Sequence, residues 1–424
     1  MQSLSDAPAR VLSLPGTKRK KDSPVRPGDS PRIGGGGGAR ALPLPPVRGG
    51  SLGSNAKYSV NSLKVDEDTG EILGAKASPL VARMERFALQ SAARGLLGKE
   101  WRIDKCLRLR QKHRDIQVIQ SKEHKSCSYT GLQTCGSVWA CPVCAAKISE
   151  RRRVEIKGAM DLHKANGGAV LLMTLTNPHN RGDDLAQLLA LQAKALNWFN
   201  TDKASRKIFE QMGCIGQIKA TEATVGRNGW HPHYHILLFV RPGLDLEALQ
   251  AALGARWIHA CLKVGLKAPS IEHGLRLDGG DRAANYVSKW GLDHEMTKGH
   301  IKKSKDGQSP FDLLRAYQES GDKQAGALFV QFAHAFKGKR QLHWSPGLKK
   351  QFQVGEMSDE ELANKQDDKA LLLGTITLTQ WRYILRKEAR SLILELAEQG
   401  WDAVSRFLAT VPAEPPVAVP IRHA

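Results

Sequence analysis

One stretch limits what this chain can fold into more than any other: Trp230-His231-Pro232-His233-Tyr234-His235, followed by the apolar run Ile236 to Val240. Side chains on a strand alternate faces, so His233 and His235 point the same way and Tyr234 points the other, as a packing residue would. The β-rich run after them reads as a core strand. Upstream, Cys214 to Val225 reads as a partner strand, joined through Gly226-Arg227-Asn228-Gly229. Asn-Gly in a short connection is a strong hairpin signal. Two imidazoles one strand pitch apart can grip one divalent metal. Glu222, close to His231 and His233 across the hairpin, would add a carboxylate, with Gln217 the alternative. Two histidines and one acid suit Mg²⁺ or Mn²⁺ with open positions.

The 424 residues suffice for two or three domains. Net charge is +21, and the first fifty residues hold nine Lys/Arg against three Asp, so most of the excess lies beyond them. A globular protein this basic expects a polyanion, most often nucleic acid. The sequence has no apolar run of about eighteen residues and no signal-peptide pattern, which predicts a cytoplasmic protein without membrane contact.

Residues 1–55, with the Gly34–Gly38 run and Lys18-Arg19-Lys20-Lys21, read as a disordered basic tail. Residues 56–160 read as a helical, cysteine-rich segment, with helix over about 79–125. Residues 161–350 hold the histidine hairpin, a strand over Ala169–Thr176, helices over Leu185–Asn200 and 245–264, and a possible strand over Ile271–Leu277. Residues 351–424 read as a helical region with a loose end. Its main helix runs from Thr377 to Gln399, with Thr377 and Gln380 as a capping box and Gly400 at its C-terminal end.

Cys127, Cys135, Cys141 and Cys144 lie within eighteen residues. The Cys141-Pro142-Val143-Cys144 knuckle is a strong zinc signal, because its turn aims two thiolates at one tetrahedral ion. The first two ligands are less sharply marked, and His124 or Cys106 can replace one. Arg151-Arg152-Arg153 follows the knuckle and suits phosphate contact. Further on, Asp281-Arg282-Ala283-Ala284-Asn285-Tyr286-Val287-Ser288-Lys289-Trp290 reads as a helix capped by Asp281, with Arg282, Tyr286, Lys289 and Trp290 on one face.

The His-Tyr-His strand resembles the histidine-hydrophobe-histidine motif of HUH endonucleases, and the chain resembles most closely the single-tyrosine rolling-circle plasmid replication initiators. The resemblance spans about residues 100–350. It includes Val170-Leu171-Leu172-Met173-Thr174-Leu175-Thr176, similar to the family's first motif, the segment around Cys141, and Phe336 to Ser345.

The resemblance implies an α+β fold, an antiparallel sheet with helices packed on one face. It implies Tyr286 as nucleophile and Lys289 as its companion, with His233, His235 and Glu222 holding the metal. The implied reaction nicks a double-strand origin of a plasmid or small phage and leaves a 5′-phosphotyrosyl link and a 3′-hydroxyl primer. DNA is the implied partner, contacted by Arg151, Arg152, Arg153, His231 and Arg282. Host helicase and polymerase, and a second copy in a homodimer, would join it. A transposase or relaxase with the same core, or a zinc-stabilised DNA-binding regulator, are the rival expectations. One departure stands out: Arg282 occupies the position, four residues before the tyrosine, where some family members carry a glutamate linked to the terminating cut.

Overall fold

A computed structural model describes residues 64–65, 72–73, 79–122, 125–288, 307–365 and 370–412. The basic tail, His124, Lys289, Trp290 and the chain beyond residue 412 lie outside the described residues.

After two short strands at Lys64–Val65 and Ile72–Leu73, the chain forms α1 (Pro79–Leu97), β1 (Ile116–Gln120), β2 (Cys127–Thr130) and α2 (Pro142–Ala165). Then follow β3 (Ala169–Leu175), α3 (Leu185–Thr201), α4 (Lys203–Gln211), β4 (Gly216–Gly226), β5 (Gly229–Val240), α5 (Leu246–Lys263), the single turn α6 (Ile271–Gly274), β6 (Leu275–Asp278) and α7 (Gly280–Ser288). After them come α8 (Pro310–Ser320), α9 (Lys323–Phe336), β7 (Leu342–Trp344), α10 (Leu348–Gln351), α11 (Asp359–Asn364), β8 (Leu371–Ile376), α12 (Leu378–Arg386), α13 (Arg390–Gln399) and α14 (Trp401–Ala409).

The protein is α+β, and its main sheet is antiparallel with strand order β6-β3-β5-β4-β7. β4 and β5 form the hairpin, closed by Gly226 opposite Gly229. Gly229 has φ +89, and a Cβ there would sit 2.8 Å from both Asn180 O and Arg181 Cα, so the tight turn and the close approach both require glycine. Pro232 is tolerated in β5 because β3 pairs only as far as Tyr234. Beyond that point β5 has a strand on one side alone, and the Pro232 carbonyl accepts a bond from Gln192 Nε2 at 3.0 Å.

Helices cover both faces of this sheet, where a one-sided arrangement was expected. One face buries Met173, Tyr234, Ile236 and Leu238 against Leu196, Phe199, Leu253 and Trp257 of α3 and α5. The other buries Val170, Leu172, Ile218, Leu237 and Phe239 against Ile156 and Met160 of α2 and Ala283 and Val287 of α7. The apolar run Ile236–Val240 is therefore consumed on both sides. Each such fully buried side chain contributes about 1.5–3 kcal/mol.

A second sheet, of order β8-β1-β2, lies beside the cysteines. Here the helix expected over 79–125 stops at Leu97, and Ile116–Gln120 is a strand. Its pattern of buried Ile116, Val118 and Ile119 serves a sheet packed on α13. β8 pairs with β1 from Ile376 opposite Ile116 to Leu371 opposite Gln120. The region after residue 350 thus supplies an edge strand to the segment before residue 160. The capping box at Thr377 and Gln380 forms. The expected single helix is nevertheless two, broken where Glu388 takes φ +49.

Candidate active site

Strand parity builds the site. On the α2/α7 face, Glu222 lies directly opposite His233, and Ala220 opposite His235. Thr174 lies opposite His235 from the other side. Glu222 Oε2 is 3.5 Å from His233 Nε2 and 3.8 Å from His235 Nε2, and the three groups offer donors within 4.8 Å of one another. Two donors on one ion at about 2.1 Å each stand at most about 4.2 Å apart, so both pairs fit a shared divalent cation.

The far ring nitrogens fix which atoms face the carboxylate. His233 Nδ1 is 3.1 Å from the His231 carbonyl, and His235 Nδ1 is 3.0 Å from Thr174 Oγ1. Partners of this kind orient metal-binding imidazoles. Burial, then the neighbouring His233 charge, lowers His235 despite the pull of Glu222 and Asp278. Burial, followed by His233, His179 and His235, pushes His231 down to about 4. Burial thus favours the uncharged form of His235 and His231, the form in which an imidazole binds a metal. Burial alone would raise the Glu222 carboxyl; the charge of His235 and the hydrogen bonds from His233 and Tyr286 outweigh it and hold the group at about 2.

Tyr286 reaches the same carboxylate. Its hydroxyl donates to Glu222 Oε1 at 2.7 Å, and its ring lies 4.6 Å from that of His235. α7 begins at Gly280, so Asp281 sits in the first turn and does not cap the helix. Ala283 and Val287 anchor the buried side of α7 and turn Tyr286 toward the metal donors. Tyr234 faces the opposite side, under Lys219 Nζ at 5.0 Å.

The cysteine cluster departs from the sequence expectation at one ligand. Cys106, Cys135, Cys141 and Cys144 come together, all buried, with Sγ separations of 3.8 Å (106–141), 3.5 Å (106–144) and 3.6 Å (135–144). A tetrahedral zinc with bonds of about 2.3 Å spaces its sulfurs about 3.8 Å apart, so the set fits. Cys127 is not among the four. It begins β2, opposite Gln120, and its N–H donates to Glu398 at 2.9 Å. Burial and the Glu398 charge push its thiol up to about 11. Cys106 reaches the cluster because Leu107 takes φ +48 and Leu107 N bonds to Gln133 O at 2.8 Å, which folds its loop back beside Cys135. Pro142 starts α2, placing Cys144 in the first turn, where the helix dipole favours a thiolate.

Behind the cluster lies a buried network. Gln90 Nε2 is 3.2 Å from Cys141 Sγ, and Gln90 Oε1 accepts from Arg390 Nη1 at 2.6 Å. Arg390 is fully buried and also stands 4.8 Å over the Phe87 ring.

The arginine triplet is hydrogen-bonded within the protein. Arg152, 9% exposed, bonds to Glu155, the Met357 carbonyl and Asp359. Arg151 donates to the carbonyls of Leu362 and Lys365, and Arg153 pairs with Glu150. These guanidiniums fasten α2 to the segment around α11 or to its own helix. Arg282 bonds to Asp278 at 3.0 Å, close to the site. His231 stacks on His233 and meets His179 Nδ1 at 3.2 Å. Thr174 and His179 are site residues that sequence reasoning missed. The first lay in plain view at the polar end of an apolar strand, and the second carried no signal.

The replication-protein family's sequence profile matches residues 130–247, from the end of β2 through the cysteine knuckle and the histidine strand. A "Protein rep" of Streptomyces lividans is 28% identical over 347 residues, covering 65% of this chain and 73% of its own. A "Protein rep" of Lentilactobacillus hilgardii is 25% identical over 256 residues, covering 57% and 74%. A protein of Streptomyces cyanogenus named "Neomycin resistance protein" is 32% identical over 135 residues, 26% of this chain and 31% of its own. No solved structure matches. Residues 130–247, which carry both the cysteine knuckle and the His-Tyr-His strand, thus match the replication-protein family, and the chain is similar to the "Protein rep" of both organisms.

Proposed function

We propose that this protein starts replication of its own replicon by nicking one DNA strand at the origin, with Tyr286 as nucleophile. The observation that carries the reading is the 2.7 Å bond from the Tyr286 hydroxyl to Glu222, whose other oxygen faces His233 and His235. A nucleophile and a metal-ligand set then share one carboxylate. In the proposed step the Tyr286 Oη–phosphorus bond forms and the bond from phosphorus to the 3′ oxygen breaks. The phenol proton ends on the freed 3′-hydroxyl, which serves as primer. The strand stays attached through a 5′-phosphotyrosyl ester, which keeps the bond energy for rejoining.

Glu222 sits at about 2, too acidic to hold the proton. It accepts the phenol's hydrogen bond and so orients the hydroxyl. His233 and His235, with Glu222, would hold Mg²⁺ or Mn²⁺, which supplies charge neutralisation on the scissile phosphate. Cys106, Cys135, Cys141 and Cys144 would hold a structural zinc. The net charge of +21 supports backbone contact with DNA.

The test is cleavage of labelled single-stranded origin DNA with Mn²⁺ by wild type and Tyr286→Phe, resolved on a denaturing protein gel. A covalent band with wild type alone supports the reading. A band retained in the variant moves the nucleophile elsewhere. The absence of any band with the replicon's own DNA favours a DNA-binding protein without cleavage.

A further inference from the structure

We propose that Arg276 and Arg282, held in place by Asp278, form a clamp for backbone phosphates of the strand that Tyr286 attacks. The proposal rests on the strand-nicking reading above and adds where that strand is gripped.

Asp278 Oδ1 accepts from Arg276 Nε at 2.9 Å and from Arg282 Nη1 at 3.0 Å. The carboxylate side chain is 14% exposed, whereas the two guanidiniums are 54% and 55% exposed. One half-buried anion therefore orders two cations that face solvent, and the group keeps a net positive charge. Each guanidinium has five N–H donors and spends one here. The remainder suit the paired oxygens of a phosphate.

The clamp stands beside the reacting atoms. Arg276 is opposite Thr174 on β3, and Thr174 is opposite His235 on β5. All three lie in one row across the catalytic face, so two interstrand steps, about 10 Å, separate Arg276 from His235. Arg282 is one helical turn before Tyr286 on α7. The two arginines thus flank the nucleophile from the sheet and from its own helix.

Stability gives little reason for this arrangement. Arginine–carboxylate pairs with exposed guanidiniums add little to stability. Their value in binding is different: an arginine already held by a carboxylate loses less rotamer freedom when it meets a phosphate. The contrast with Arg151 and Arg152 is internal to the molecule, since those guanidiniums are used on backbone carbonyls and on acids of α2 and α11.

The experiment measures binding of a fluorescein-labelled oligothymidylate by the full chain in the Tyr286→Phe background, as a function of salt. Each single-strand phosphate contact contributes about 0.7 to the slope of log K against log salt. Arg276→Gln and Arg282→Gln should each lower the slope by about that amount, and Arg276→Lys should preserve it. Arg256, paired with Asp202 on the opposite face of the sheet, serves as control, and Arg256→Gln should leave the slope unchanged. Thermal unfolding of each variant identifies loss of fold; if Arg276→Gln unfolds, the Arg282→Gln slope decides. Wild-type slopes in both glutamine variants would overturn the clamp and leave the nuclease reading standing. Equal losses in the Arg256 variant would also overturn it. Absence of salt-dependent binding by the unsubstituted-clamp protein would overturn both.

Discussion

The hydroxyl of Tyr286 and the carboxylate of Glu222 form a 2.7 Å hydrogen bond across the gap between α7 and β4, although 64 residues separate them in the chain. Because Glu222 also faces both histidines, the position of the proposed nucleophile and the geometry of the metal-ligand set are one problem. Neither can be disturbed alone.

Glu222→Gln should therefore fail in two ways. It removes an anionic ligand and replaces a carboxylate acceptor beside the phenol. Single-turnover nicking is expected to fall by at least about 100-fold, more than the 10–100-fold typical of an outer partner. Binding of single-stranded DNA by the variant, read by anisotropy, should stay within a few-fold. Retained nicking would remove Glu222 from the site.

Thr174→Val tests the outer layer. The substitution keeps the strand-forming shape and deletes the 3.0 Å contact to His235 Nδ1. Loss of such an orienting partner lowers metal affinity about 10–100-fold. Mn²⁺ titration by electron paramagnetic resonance should show that loss with an unchanged melting temperature. An unaltered affinity would make the contact incidental.

The cysteines give a clean contrast. Cys106→Ser should abolish stoichiometric zinc, whereas Cys127→Ser should retain it, with metal content read by mass spectrometry of the purified protein. Structural zinc is worth about 10–16 kcal/mol of binding free energy in small domains, so the Cys106 variant should also melt early. The reverse result would restore Cys127 to the ligand set.

Arg390→Leu should loosen the same region from behind. It leaves the Gln90 amide oxygen without its 2.6 Å donor in a buried position, at a cost of about 1–3 kcal/mol. Urea denaturation should report that loss, and a chromogenic chelator should draw zinc out faster than from wild type. Wild-type release kinetics would disconnect Arg390 from the cluster.

Much of the site was legible in the sequence because its information is local. The alternation of the histidine strand fixes which imidazoles share a face, and Asn228-Gly229 fixes the hairpin that sets Glu222 opposite His233. The Cys141–Cys144 knuckle announces itself in four residues. What was not legible depends on distant chain. Cys106 displaces Cys127 only because a left-handed Leu107 and a bond to Gln133 redirect the loop. Ile116–Gln120 has the apolar content of a helix continuation, and becomes a strand because β8, more than 250 residues later, pairs with it. Arg151-Arg152-Arg153 shows its charge in the sequence but not its partners, which are carbonyls and acids brought from residues 357–365 or lying on the same helix.

The return of β8 and Arg390 to the cysteine module sets an order of events during synthesis. When Tyr286 leaves the ribosome, every proposed catalytic side chain has been made. The strand that flanks β1 and the arginine that braces Cys141 have not. At translation speeds of about 5–20 residues per second, roughly 100 further residues take about 5–20 s. Through that interval, and in any chain that stops short of β8, the nascent protein holds its proposed catalytic residues together with an unfinished cysteine module. The cysteine module therefore cannot be complete before Arg390 has been made.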